Sequence, residues 1–224
     1  NNFPLHEVTI TKGFYLGKYE VKQEEYQAVM LNNSNGLTPI PSKWSNNPKR
    51  PVEQVSYDDV QVFLRRLNTQ QSSNIPDGWA FVLPTESEWE YACRSGLDWA
   101  AVSTSPTNNR FAGFSETRDV GQYNPNPWGF YDMFGNVSEW TLDWYGSYTN
   151  LEKIDPSGPI SGTRRVYRGG NFENNFNIHG GYRGSLVSSE RNRRTGFRLV
   201  LKGGSTPLLN HLGRRIFVDD DASN

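Results

Sequence analysis

The sequence predicts an α+β domain that is rich in loops. Two helices announce themselves by capping pairs at their starts, and the strand-like stretches are short, scattered and separated by Gly-, Pro- and Asn-rich runs. Composition agrees: seven Trp, 11 Tyr and 12 Phe beside 21 Gly and 13 Pro in 224 residues describe a core that leans on aromatic rings more than on aliphatic runs.

The chain opens with "HEVTITKGFYLGKYE", which alternates like a strand pair around Gly13 and Gly17. From about Lys22 the period turns helical, with Tyr26, Val29 and Met30 on one face. After a Pro- and Asn-rich connection, "SYDDVQVFLRRL" offers Ser56 as a cap with Asp59 reaching back, ahead of Val60, Phe63, Leu64 and Leu67 at helical spacing. "LPTESEWEYACRSG" repeats the device, with Thr85 and Glu88 as the pair, Trp89, Ala92 and Cys93 as the buried stripe and Gly96 as the stop. The single cysteine, Cys93, therefore reads as core, and excludes an internal disulfide and a multi-cysteine zinc site. Residues 97–165 read as loop and short strand. "RVYRGGNF" and "TGFRLVLK" read as strands that bracket an asparagine- and glycine-rich stretch, where side-chain amides compete with the backbone for hydrogen bonds and favour a loop.

Charge excludes little. With 23 Lys and Arg against 24 Asp and Glu, nothing marks the chain as a dedicated nucleic-acid or membrane-surface protein. No apolar run approaches membrane-spanning length, and the first ten residues lack the pattern of an export signal. Locally the balance differs: Arg164, Arg165, Arg168, Arg183, Arg191, Arg193, Arg194 and Arg198 are opposed between 164 and 198 only by Glu173 and Glu190. Such a cluster is either an anion-seeking surface or a set of arginines that stack on aromatics and pin loops. Arg168 and Arg198, beside strand-like segments, read as pins. No base-stacking aromatic series accompanies the charges, so nucleic acid is not an expected partner.

His6, His179 and His211 form no metal-binding motif, and there is no phosphate-binding glycine loop and no nucleophile elbow. The best local site is "YDMFGNVSEW". Asp132 and Glu139 supply carboxylates there, and the turn at Gly135 could aim carbonyls at a hard cation such as calcium. The same residues also read as a hydrogen-bonded turn, with Glu139 capping amides and Trp140 in the core.

Taken together, "GFYLGKYEVKQEEYQAVM", "PVEQVSYDDVQVFLRRLN", "LPTESEWEYACRSG", "NPWGFYDMFGNVSEWTLDWY" and "RVYRGGNF…TGFRLV" resemble, in order over residues 7 to 201, the formylglycine-generating enzyme or sulfatase-modifying factor family. The resemblance implies a C-type-lectin-like fold with two main helices, short antiparallel strands and large ordered loops. It implies a calcium ion held by side chains of Asp132 and Glu139 and carbonyls of Gly135 and Val137. A second family calcium site is not carried over, because the chain is short near "NNRFAGFSETRDVGQY". The family's enzyme oxidises a sulfatase cysteine to formylglycine with copper bound by two cysteines. Those positions fall on Asn174 and His179, and an amide and an imidazole cannot copy soft thiolate ligation, so no copper and no oxidase activity are expected.

A family fold without the family's chemistry resembles the variable proteins of bacterial diversity-generating retroelements. These carry a hypervariable ligand-binding surface between an RGG-type block and a closing GFR. Adenine-directed mutagenesis of asparagine codons there yields a set of amino acids that lacks Lys, Gln, Glu, Met and Trp. Between Asn171 and Thr195 only Glu173 and Glu190 belong to the excluded five, two of 25 residues against 36 of 224 in the whole chain. The resemblance thus implies a ligand-binding surface made by Asn174, Asn175, Phe176, Asn177, Ile178, His179, Tyr182, Ser185, Leu186, Val187, Ser188, Arg191, Arg193 and Arg194. Arg168, Gly169, Gly170, Phe172, Gly196, Phe197 and Arg198 would hold the backbone. One domain over residues 1–205, with a variable region at 171–195 and a tail at 206–224, is expected. The implied protein is a monomer at the bacterial cell surface or outside the cell, binding a protein or cell-surface ligand. A degenerate sulfatase-modifying paralogue with a fixed protein partner, or an oxidoreductase of the formylglycine-generating type, are the alternatives.

Overall fold

The computed structural model describes residues 6–98, 102, 113–149, 151–173 and 182–203. Local chemistry sets the three helices. In α1, Gln23–Met30, the Glu25 carboxylate accepts from the Lys22 amide at 2.7 Å, and Tyr26, Val29 and Met30 are buried. Helix α2, Tyr57–Gln70, begins with the expected reciprocal pair: Ser56 Oγ accepts from the Asp59 amide and Asp59 Oδ2 from the Ser56 amide, at 3.1 and 2.9 Å. Thr85 and Glu88 do the same for α3, Glu86–Arg94, which ends in two left-handed residues, Ser95 and Gly96. The family resemblance implied two main helices; α1 is a third, short one.

Strands β1, Val8–Thr9, and β2, Tyr15–Leu16, do not pair with each other as the alternation around Gly13 and Gly17 suggested. β2 instead joins a three-stranded antiparallel sheet, β2-β9-β3, with β3 at Trp79–Val82 and β9 at Val200–Gly203. β1 pairs in parallel with β5, Lys153–Ile154. A four-stranded sheet runs β7-β6-β4-β8, built from Ser138–Trp144 (β4), Arg165–Arg168 (β6), Arg183–Leu186 (β7) and Thr195–Gly196 (β8). Its β4–β8 contact is also parallel, so the strands are not all antiparallel. Chain segments far apart in sequence supply these partners, which local alternation cannot reveal.

Successive residues of β4 point to opposite faces of the sheet, and two buried hydrophobic clusters form the core. Trp140 enters the first, with Val60, Phe63 and Leu64 of α2 and with Phe197; Tyr26 stacks on Phe63 at 5.3 Å, joining α1 to α2. On the other side Trp89, Ala92 and Cys93 of α3 pack with Phe14, Leu16, Phe130, Met133 and Phe134. Cys93 is buried as expected, and burial pushes its thiol far above its ordinary range, leaving it unreactive. Among the described residues no helix is long and apolar enough to cross a membrane.

Candidate functional site: an arginine-rich segment and two buried ion clusters

The segment leading out of β6 is fixed. Gly169 and Gly170 take φ of 91° and 71°, a region that disfavours side chains, and a Cβ on Gly169 would stand 3.2 Å from the Trp89 ring. Phe172 is fully buried and meets Trp44 edge to face at 5.2 Å. Neighbouring turns grip this backbone: the Gly135 amide donates to the Gly169 carbonyl, and the Phe172 amide to that of Asn136, both at 2.9 Å. Arg168, Gly169, Gly170, Phe172, Gly196, Phe197 and Arg198 are all buried.

Asn174, Asn175, Phe176, Asn177, Ile178 and His179 lie outside the described residues. Tyr182, Ser185, Leu186 and Ser188 are half-buried, while Val187, Arg191, Arg193 and Arg194 are exposed. Several of these side chains are engaged. Leu186 packs against the first core. Arg191 makes a two-pronged ion pair with Asp59, at 2.7 and 2.8 Å, and so closes onto the cap of α2. Arg193 and Arg194 share Glu173. The backbone joins the same region, since the Asp58 amide donates to Ser188 and the Gln54 amide to Asn192. The Arg-rich segment is therefore partly a set of loop pins, the second of the two readings its composition allowed.

Two ion clusters are buried among the described residues. In the first, Glu139 and Arg198 are both fully buried: Arg198 Nε and Nη2 reach the two carboxylate oxygens at 2.6 and 2.7 Å, and Trp89 Nε1 donates at 2.7 Å. Glu20 stands beside them, accepting from the Val137 amide at 3.0 Å and from Asn136 Nδ2 at 2.7 Å. Asp132 Oδ2 accepts from the Gly121 amide at 2.6 Å. Burial, reinforced by the charges of Asp132 and Glu139, holds the Glu20 carboxyl well above its ordinary value. Burial likewise pushes Asp132 up to about 6.

The turn that carries these groups is curled by three left-handed residues, Asp132, Gly135 and Asn136, two of them not glycine. Among the described residues no three acidic, histidine or cysteine side chains converge as a metal site. The set expected from sequence needs only two, with two carbonyls. Its donors are hard oxygens, three buried carboxylates face one guanidinium, and Glu139 Oε1, with one donor, keeps acceptor capacity. In charge and donor type these residues fit a calcium ion.

The second cluster centres on Glu86, which sequence reasoning passed over. Arg168, Arg183 and Tyr148 all donate to its Oε1, at 2.7, 2.7 and 2.5 Å. Burial alone would raise this carboxyl, but Arg168 and Arg183 together hold it below its ordinary value. Asp143 accepts from the Glu86 amide at 2.7 Å, and burial pushes its own carboxyl up to about 7. The available signal was the surplus of arginines around residues 164–198, which needed buried acids from elsewhere in the chain.

The described geometry has known counterparts. The solved structure of Treponema denticola variable protein 1 superposes with a TM-score of 0.67 at 29% identity, covering 82% of this chain and 84% of that one. The formylglycine-generating enzyme of Bos taurus is 33% identical over 149 residues, which is 57% of this chain and 36% of the enzyme. That of Thermomonospora curvata is 32% identical over 156 residues, 58% of this chain and 47% of the enzyme. The chain thus spans between a third and a half of the length of these two relatives. The fold is α+β and C-type-lectin-like. The sulfatase-modifying factor enzyme 1-like domain profile matches residues 1–202, and the chain belongs to that family.

Proposed function

We propose that this protein is a ligand-binding module that displays a variable surface on a fixed C-type-lectin-like frame, in the manner of the variable proteins of diversity-generating retroelements. One observation carries the reading: the segment from 173 to 194 emerges between two stretches, 168–172 and 195–198, whose residues are buried throughout. Exposed side chains between such anchors, as Val187, Arg193 and Arg194 are, can change without opening the core, where a large-to-small change costs about 2–5 kcal/mol. A pre-set loop base also lowers the ordering cost of binding. The likeness to a protein named for its variability supports the same reading.

On this reading the protein is not an enzyme and binds no copper, because Asn174 and His179 stand where the family's oxidase has thiols. Calcium, held by Asp132 and Glu139 side chains with the Gly135 and Val137 carbonyls, would neutralise the buried carboxylate surplus and brace the turn under Gly169. It has a structural role only. The protein works as a monomer at the bacterial surface or outside the cell, and its partner is a protein or cell-surface ligand. Sequencing the gene from several clones tests the proposal. Substitutions concentrated at adenines of codons 174–194, with a template repeat nearby, are expected; uniform drift along the gene favours the alternative, a paralogue with one fixed partner, which the likeness to formylglycine-generating enzymes supports.

A further inference from the structure

Arg168 and Arg183 stand directly opposite each other on β6 and β7, one at the exit and one at the return of the segment 169–182. Like charges in that cross-strand position repel. Both side chains are nonetheless buried, at 1% and 3% exposure, because both hold a single oxygen of Glu86. Each arginine is braced by a second partner. Arg168 Nη2 reaches Glu90 at 2.8 Å, while Arg183 Nη1 donates to the Gly146 carbonyl at 2.7 Å and its guanidinium lies between the Tyr145 and Tyr148 rings. Glu86 is braced too: it sits in the first turn of α3, where the helix dipole favours a carboxylate, and its amide is tied to Asp143.

We infer that Glu86 is the clasp of the display loop, a positioning residue that holds both ends of segment 169–182 at one separation. The bonds that Glu86 accepts from Arg168, Arg183 and Tyr148 are made by residues outside 174–181. The clasp also divides the window that composition alone treats as uniform. Arg183 belongs to the frame, and so does Gly184, where a Cβ would stand 2.1 Å from the Tyr167 ring. Free variation is confined to positions on either side of this pair. What the clasp serves rests on the display reading; the clasp itself does not.

Hydrogen exchange on the full chain tests it. Glu86→Gln keeps the shape and removes the charge, and is expected to raise amide exchange at residues 169–172 and 182–186 at least tenfold while α2 and β9 keep their rates. The pair Glu86→Gln with Arg183→Met removes the stranded charge and fills the slot between the two tyrosines, and is expected to recover at least half of that protection on a logarithmic scale. An antibody fragment selected on the wild type for contacts within 174–181 serves as the binding probe; its association is expected to slow tenfold in Glu86→Gln and recover in the pair. Should Glu86→Gln not fold, Arg183→Lys, which keeps the charge but loses the forked geometry, is expected to raise exchange at 182–186 at least threefold. Exchange that stays within twofold of wild type, or rises equally everywhere without recovery in the pair, overturns the clasp. Local loosening in a gene whose clones do not vary leaves the clasp standing and removes the display reading instead.

Discussion

Arg198 and Glu139 face each other as a two-pronged ion pair with no exposed surface on either side chain. Arg198 also donates to the carbonyls of Gly17, Lys18 and Tyr131, so one guanidinium joins the start of the chain, the curled turn and β4. Breaking such a pair strands a buried charge. Glu139→Ala is expected to lower stability by about 3–5 kcal/mol in urea denaturation. Pairing Glu139→Leu with Arg198→Met should recover part but not all of the loss, because the three carbonyls lose their donor.

Calcium should raise the melting temperature, and exhaustive chelation should lower it. At a hundredfold excess over its dissociation constant, a ligand that binds only the folded state contributes about 2.7 kcal/mol. In a chain of this length that corresponds to roughly 5–10 °C. Calorimetry with and without EGTA, repeated on Asp132→Asn, measures it; an unchanged wild-type curve and no bound ion in a crystal reduce the site to a turn.

Serine substitutions should separate display from support. Val187, Arg193 and Arg194 replaced together are expected to change stability by less than about 1 kcal/mol, as exposed positions do. Leu186→Ser and Arg191→Ser should each cost about 1–3 kcal/mol, one through packing and the other through the exposed Asp59 cap. If the first set costs more than about 2 kcal/mol, those residues are packing and the display surface is not there.

Stability should fall between mildly acid and mildly alkaline pH, and Glu53 is one cause. Its side chain is fully buried; Oε1 accepts from the amides of Lys43 and Trp44, while Oε2 has no hydrogen-bond partner among the described residues. Burial pushes its carboxyl up to about 7, against smaller opposing effects from those amides, the Lys43 charge and Ser42. The unfolded chain ionises this group near 4.5, so its contribution is fully present below that pH and is lost as pH rises through 7. The loss amounts to about 3 kcal/mol at most. Urea denaturation at pH 5 and pH 8 should show a smaller difference in Glu53→Gln than in the wild type.

Purified protein should neither bind copper(I) tightly nor convert a sulfatase-type cysteine peptide to the aldehyde, since Asn174 and His179 replace soft thiolates. Aldehyde-specific labelling of the peptide checks the second point, and detectable conversion restores the oxidase alternative.

Local signals were readable from sequence and distant ones were not. Ser56 with Asp59 and Thr85 with Glu88 bond three residues apart, so their helices could be placed from the letters alone. Tyr15 pairs with Leu201, and nothing in "GFYLGKY" points to a partner at the other end of the fold. Glu20 carries no local signal, because its contacts at Val137 and Asn136 lie more than a hundred residues away. Glu86 was hidden for a related reason: an acid in the first turn of a helix is already explained by the helix dipole, which masks its bonds to Arg168 and Arg183. Arg168 and Arg198 were legible as pins because they flank strands, whereas Arg191 sits in a loop and its capping partner is on another element.

The glycine under the Tyr167 ring has a meaning at the level of the genetic code. Every glycine codon begins with two guanines, and a change at its third base is silent. A mutagenic process confined to adenines therefore passes over Gly184 without altering it, while the asparagine codons of Asn174, Asn175 and Asn177 carry two adenines and are open to wide change. Arginine is written in two ways, and only the CGN family shares glycine's immunity. If the frame is guarded in this way, codon 183 is CGN rather than AGA or AGG, so that the side chain gripping Glu86 is protected by its spelling.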